Sequence, residues 1–474
     1  MIDPEEHAEA VTPEEDEDDD TVSPADDDDG GCAGGEAPAD DDDGGSAVSF
    51  ASSEAPAVDV VLSEDEYNEF ESTVHEIIYD KLNENPLFYS EPGFHKLLSD
   101  DVCHLFHTEW TEANILKNNE TLFGCIEQMV ESFFDVYYPP RSITNSNVFS
   151  EINVDHITSI IETLTALPQP KQKTIEWYQY RHGLITASNI WKALSTESQR
   201  NSLIYEKCKP FNPFAAEKGN WHAGGSLQWG VLYEAVSIMV YEKMYGTKVN
   251  DFGCIQHPKY ACIGASPDGI NVDPTSNRYG RMIEVKNIVN REITTTPKEE
   301  YWIQMQVQME TCGLDECDFI ETRFKEYNTA EDYHQDTAQE WKGIILCFID
   351  REVPNSKPTY RYMPFDLNIT TDKWIANTKE ELKDTLILYT TTYWYLDQFS
   401  CILVKRNKLW FSAALPIILD TWDTIVRERE SGYEHRAAKK RTNTTTCQIS
   451  QDSTYVISNL KLSTNVCLVK LDHE

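Results

Sequence analysis

The first 60 residues contain no lysine and no arginine, against 22 aspartates and glutamates. So little apolar surface excludes a packed core in this stretch and leaves a disordered acidic tail as the expectation. The tail reads as solubilising, with a polyanion that competes with DNA or docks a basic partner as the alternative. No CxxC pair occurs among the 12 cysteines, which excludes the usual zinc ribbon and redox dithiol patterns. Scattered cysteines with no apolar leader after Met1 read as reduced thiols of an intracellular protein. No run of 18 apolar residues is present, so no membrane-spanning segment and no membrane partner are expected. An excess of positive charge is missing too, since the net charge is −41. That excludes a broad basic field for nucleic acid, but not a local grip. Residues 169–326 carry 19 acids and 18 bases and are nearly neutral.

What is present divides the chain. Residues 62–140 read as a helical N-terminal region. Ser63-Glu64-Asp65-Glu66 is a capping-box pattern, followed by Tyr67, Phe70, Val74, Ile77, Ile78 and Leu82 at helical spacing. His104 and His107 beside Cys103 read as ordinary helix residues rather than metal ligands. A connector with one helix, 152–167, leads to the larger part of the chain, 169–430. There, 226–245 and 299–313 have helical patterns, and 343–350 and 359–365 read as strands. Residues 373–398 and 409–430 read as aromatic-rich helices. A basic cluster, His435–Arg441, opens the partly ordered stretch 431–474.

The centre of this part is Gly264–Lys286. Asp268 stands in Ser266-Pro267-Asp268-Gly269, and Glu284 in Ile283-Glu284-Val285-Lys286. The turn formers between them predict a hairpin. In a strand, side chains alternate faces, so Glu284 and Lys286 share one face and Ile283 and Val285 the other. Two carboxylates and a lysine so placed can hold a hard divalent ion for phosphodiester hydrolysis. Asp268 and Glu284 are the expected central ligands, with Glu234 and the carbonyl of Val285 completing the set. Lys286 would orient or deprotonate water, or offset developing charge. Gln304, on a helix with Gln308 on the same face, would position water or phosphate. Upstream, Trp177 and Arg181 are spaced i,i+4 on a short helix that Gly183 can cap. Thr186 or Ser188 can cap the next helix, which with Arg181 makes a phosphate site. Singly, each of these residues is more often a turn aspartate, an edge-strand ion pair or a surface arginine. Jointly and in order they point to catalysis.

The ordered segments EWYQYRHGLITAS, GSLQWGVLYE, SPDG, IEVK and YWIQMQ resemble the YqaJ-type viral recombinase and lambda-exonuclease family of PD-(D/E)xK nucleases, over 172–314. The stretch 394–426 resembles the C-terminal part of such nucleases in large DNA viruses. The resemblance implies an α/β (α+β) restriction-endonuclease-like core, with a mixed central sheet flanked by helices. It implies a Mg²⁺-dependent 5′→3′ exonuclease on double-stranded DNA ends, with Mn²⁺ as an alternative ion. Glu234, Asp268, Glu284, Lys286 and Gln304 match the family's catalytic positions, and Arg181, Ser188 and Ser266 its DNA phosphate-binding ones. A single-strand annealing protein and a second copy of the chain are the implied partners, in the host cytoplasm or nucleus. An endonuclease on the same fold and a non-cleaving DNA-end binder are the alternatives.

Overall fold

The computed structural model describes residues 64–91, 93–112, 119–149, 151–213, 226–294, 296–353 and 357–438. The acidic tail, Ser63 of the capping box and everything after residue 438 lie outside the described residues.

The strands are β1 (Ile185–Thr186), β2 (Val249–Asn250), β3 (Ile255–Gln256), β4 (Ile263–Ala265), β5 (Gly269–Asn271), β6 (Met282–Asn287), β7 (Glu316–Glu326), β8 (Lys342–Asp350), β9 (Thr359–Tyr362) and β10 (Leu386–Lys405). Seven form one mixed sheet in the order β2-β5-β6-β7-β10-β8-β9, and a smaller sheet runs β1-β4-β3. Helices are α1 (Glu64–Glu84), α2 (Phe94–Glu112), α3 (Asn119–Val136), α4 (Val154–Ala166), α5 (Ile175–His182), α6 (Trp191–Leu194), α7 (Glu197–Cys208), α8 (Ser226–Tyr245), α9 (Glu299–Cys312), α10 (Ala330–Gln335), α11 (Thr371–Leu382) and α12 (Lys408–Ser431). The expected fold class, a mixed sheet flanked by helices, is the one found.

The hairpin forms as its turn residues suggest, with Gly269 opposite Ile283 and Ile270 opposite Met282. Only glycine fits after Asp268, because a Cβ at Gly269 would stand 2.2 Å from Val249 Cγ1. β6 then pairs in parallel with β7. Parallel neighbours need a long crossover, and α9 supplies it. Gly313, at φ 71°, closes α9 in the left-handed conformation.

The two faces of β6 are packed differently. Ile283 and Val285 cluster with Tyr241, Val249 and Ile320 on the side of α8. Met282 joins Ile303, Met305 and Phe319 in the main core on the side of α9. That core also takes in the N-terminal helices, from Phe70 and Val74 to Phe133. Tyr89 stacks on Trp302, with centroids 6.5 Å apart, and Trp302 meets Trp410 edge-on at 5.2 Å. Arg141 donates to the carbonyls of Glu91 and Pro297, tying the helical region to the start of α9. Helices α1, α2 and α3 are thus one wall of a shared core.

One element reverses the sequence reading. Residues 386–405 form a 20-residue strand, not the end of a helix. The aromatic spacing fits a helix, but the run TTTYWY is made of β-branched and aromatic residues, which pack best on a pleated surface. β10 pairs with β8 over Leu386–Tyr395 and with β7 over Trp394–Lys405, with one register shift in each pairing. α12 is long and apolar enough to cross a membrane by length and composition. In this fold Trp410, Phe411, Ala414, Ile418 and Ile425 bury its apolar face in the core.

Candidate active site

The alternation of β6 brings Glu284 and Lys286 together, with Nζ 2.8 Å from Oε1. Glu284 is 1% exposed on an interior strand, which rules out a solvent-facing edge pair. Its carboxylate is held from the other side by α9. Gln304 Nε2 donates to Oε1 at 2.8 Å, and Gln308 Nε2 donates to Oε2 at 2.7 Å. Asp268, at the mouth of β5, accepts from the backbone N–H of Val285 at 2.8 Å. So Asp268 braces the strand that carries Glu284 and Lys286.

Electrostatically the cluster is under like-charge pressure. Burial raises the Asp268 carboxyl well above the usual carboxylate range, and the charges of Glu284 and Glu234 raise it further. Lys286 shows the converse. Burial pulls its ammonium down, but Glu284 and Asp268 outweigh this and leave it raised. The lysine therefore keeps its proton, which favours charge compensation over the role of a neutral base. Its Nζ also lies 4.6 Å from the Tyr301 ring.

Glu234 projects from α8 but does not join Asp268 and Glu284 as a third ligand. Its carboxylate takes Lys173 Nζ at 3.0 and 3.1 Å. Among the described residues, no three His, Cys, Asp or Glu side chains stand close enough to hold a metal ion as placed. The expected ligand set Glu234, Asp268, Glu284 and Val285 is therefore a charge cluster, not a closed cage. Lys286 and the two glutamines occupy Glu284, and Lys173 occupies Glu234.

The Arg181, Ser188 and Ser266 trio is assembled. Arg181 Nη2 donates to Ser188 Oγ at 2.8 Å, and Nη1 donates to Ser266 Oγ at 3.2 Å. The guanidinium lies 4.2 Å from the Trp177 ring, whose Nε1 also reaches Ser266 at 3.2 Å. Ser266 is two residues from Asp268, so the link between β4 and β5 joins this cluster to the Asp268 carboxylate. The capping expectation fails, however. α6 starts at Trp191 with Ile190 as an N-cap that makes no side-chain bond. Asn189 Oδ1 instead takes the Thr186 N–H, which leaves Ser188 to Arg181.

Three site residues escaped the sequence reading of roles. Gln308 was legible, since it stands one turn after Gln304 on the same face. Lys173 gave no local signal, because its partner lies 61 residues away. Lys207 is buried and donates to the Arg181 carbonyl at 3.0 Å. Burial lowers its ammonium to about 8.

Residues 176–315 match the model of the YqaJ-like viral recombinase domain. An uncharacterized protein of Acanthamoeba polyphaga mimivirus, R354, is 26% identical over 322 residues. The alignment covers 60% of this chain and 57% of that protein, so the chain spans little more than half its relative's length. The alkaline exonuclease of Laribacter hongkongensis aligns at 20% identity and TM-score 0.32, over 54% of this chain and 95% of that one. A phage-related exonuclease from Haemophilus somnus 129PT aligns at 12% identity and TM-score 0.27, over 54% and 96%. Every site residue named from the sequence falls within 176–315, the segment that matches the YqaJ-like viral recombinase domain model.

Proposed function

We propose that the chain is a metal-dependent deoxyribonuclease, acting as a 5′→3′ exonuclease on double-stranded DNA in viral recombination or replication. The carrying observation is the Glu284–Lys286 pair on one face of a buried strand, braced by Asp268 across the hairpin. Such a set stabilises charge on a phosphate, and no packing role needs all three groups in one place.

A divalent ion fits the chemistry of the donors. Asp268, Glu284 and Glu234 offer hard oxygens, and the like-charge repulsion that raises Asp268 is what a cation relieves. Mg²⁺, or Mn²⁺ in its place, would be held by Asp268 and Glu284 with the Val285 carbonyl, and by Glu234 once its carboxylate leaves Lys173. When bound it would supply Lewis-acid activation of water and of the phosphate. The chain's own groups do the rest. Gln304 and Gln308 fix the rotamer of Glu284. Lys286 offsets charge at the reacting phosphate. Arg181, Ser188 and Ser266 hold a second phosphate, and the place of Ser266 two residues before Asp268 favours the 5′-terminal one. A single-strand annealing protein and further copies of the chain are the partners of this reading, in host cytoplasm or nucleus.

A linear duplex labelled at one 5′ end tests it. In Mg²⁺ the expected products are released from 5′-phosphorylated ends, closed circles stay intact, and Arg181→Ala weakens the preference for a 5′-phosphate. Cutting of closed circles would indicate an endonuclease at the same site. Undiminished degradation by Asp268→Ala and Glu284→Ala would sink the site assignment.

A further inference from the structure

Lys173 is the one described non-glycine residue with a left-handed backbone, at φ 64°. An L residue pays for that conformation in steric strain. What the strain achieves is a placement, since the ammonium of Lys173 bridges both oxygens of Glu234 at 3.0 and 3.1 Å. The pair is about a third exposed on both sides, and an ion pair so wetted stabilises a fold weakly. Stability alone is thus a poor account of the strained lysine. The segment around it is held firmly. Gln172 Nε2 donates to the carbonyls of Phe252 and Pro267 at 2.7 and 3.1 Å, and Thr174 caps α5. A second lysine arrives from the loop before β9. Lys357 Nζ reaches the carbonyl of Lys173 at 3.4 Å. Burial lowers the proton affinity of Lys357, the charge of Lys173 lowers it further, and Glu234 opposes both. Two ammonium groups therefore meet beside a single carboxylate, Lys173 paired with Glu234 and Lys357 held on the Lys173 carbonyl.

We propose that Lys173 and Lys357 form a second phosphate-binding site, for an internal backbone phosphate of the DNA strand, with Glu234 holding Lys173 in reserve until nucleic acid enters. The inference rests on the DNA-cleaving reading. An entering phosphodiester replaces Glu234 as the partner of Lys173, and the released carboxylate is free to turn toward Asp268. The site differs in chemistry from the Arg181 pocket, which uses hydroxyls and a guanidinium and is carried by the helix that follows Lys173.

The test is equilibrium binding of a fluorescein-labelled duplex to full-length, metal-free protein, followed by anisotropy across a salt series. Each phosphate contact contributes about 0.9 to the slope of log K against log salt. Lys173→Gln and Lys357→Gln are each expected to reduce that slope by about this amount, and Lys173→Arg to keep it. Both positions are solvent-accessible, and thermal melting checks that the variants fold. Glu234→Gln is expected to tighten binding, and the gain should vanish in Glu234→Gln/Lys173→Gln. Wild-type binding with unchanged slopes in both glutamine variants overturns this inference and leaves the nuclease reading standing. Failure of wild type to bind duplex at all overturns both.

Discussion

On the α8 face of the sheet, Asp318 is fully buried between Arg278 and Arg281, with Glu316 on the outer side of Arg281. Tyr241 donates to the same carboxylate at 2.6 Å, and Ser146 and Asn147 accept from Arg278. On the α9 face, one residue along the paired strands, Glu284 meets Lys286 and two glutamines. The first cluster sets two carboxylates against two arginines, with both arginines and Asp318 buried and Glu316 partly exposed. The second sets Asp268, Glu284 and Glu234 against Lys286 and Lys173, and its lysines are a quarter to a third exposed. Burial raises Asp318 as it raises Asp268. The neighbours differ in sign, because arginines oppose the shift at Asp318 whereas carboxylates add to it at Asp268. A closed, balanced network serves the fold, and an open, unbalanced one has room for an outside charge.

Substitutions in the two clusters should separate along this line. Lys286→Met is expected to lower the initial rate on labelled duplex by about 10²–10⁴-fold, the range for a group acting at the reacting centre. Its melting curve should stay close to wild type, and a parallel collapse of both would blur the distinction. Asp318→Asn should do the reverse. Stranding two buried arginines costs about 3–5 kcal/mol, read as a lower urea midpoint, while activity per folded molecule persists. Gln308→Leu removes the donor to Glu284 Oε2, and a loss of about 10–100-fold in rate is expected from a misoriented ligand. An unchanged rate would show that Gln304 suffices.

The smallest effect is on stability and depends on pH. The folded Asp268 binds its proton more tightly than the unfolded one, so the ionised form works against the metal-free fold. That opposition is absent below the unfolded carboxyl value of about 4 and grows as pH rises through the folded one. Asp268→Asn should therefore raise the melting temperature at neutral pH and leave it unchanged in acid. A destabilised variant at neutral pH would mean that the bond from Val285 outweighs the repulsion.

Much of this site could be read from residues alone. Period-2 alternation suffices to put Glu284 beside Lys286, and Asp-Gly before a turn suffices to place Asp268. What escaped depends on contacts remote in sequence. Lys173 and Glu234 come from separate segments, and nothing near Lys173 marks its left-handed backbone. Ser188 was read as a cap because capping is local chemistry, whereas its partner is set by the fold. β10 was read as helix because apolar spacing over a short window cannot tell a buried helix from a strand. Residues 62–140 were read as a helical region of their own, yet α1, α2 and α3 share the main core, and Tyr89, between α1 and α2, stacks on Trp302.

The position of β10 in the sheet bears on how the molecule is made. It follows β8 and β9 in the chain but lies between them and β7. Without it the sheet is two pieces, β2-β5-β6-β7 and the β8–β9 hairpin, each with an open edge. During synthesis the strands bearing Asp268, Glu284 and Lys286 are complete by residue 326, and their support arrives only with residue 405. Closure pairs residues as far apart in sequence as Glu316 and Lys405, a non-local step that is slow to find. The site is thus finished from behind, by a strand that carries none of its chemistry.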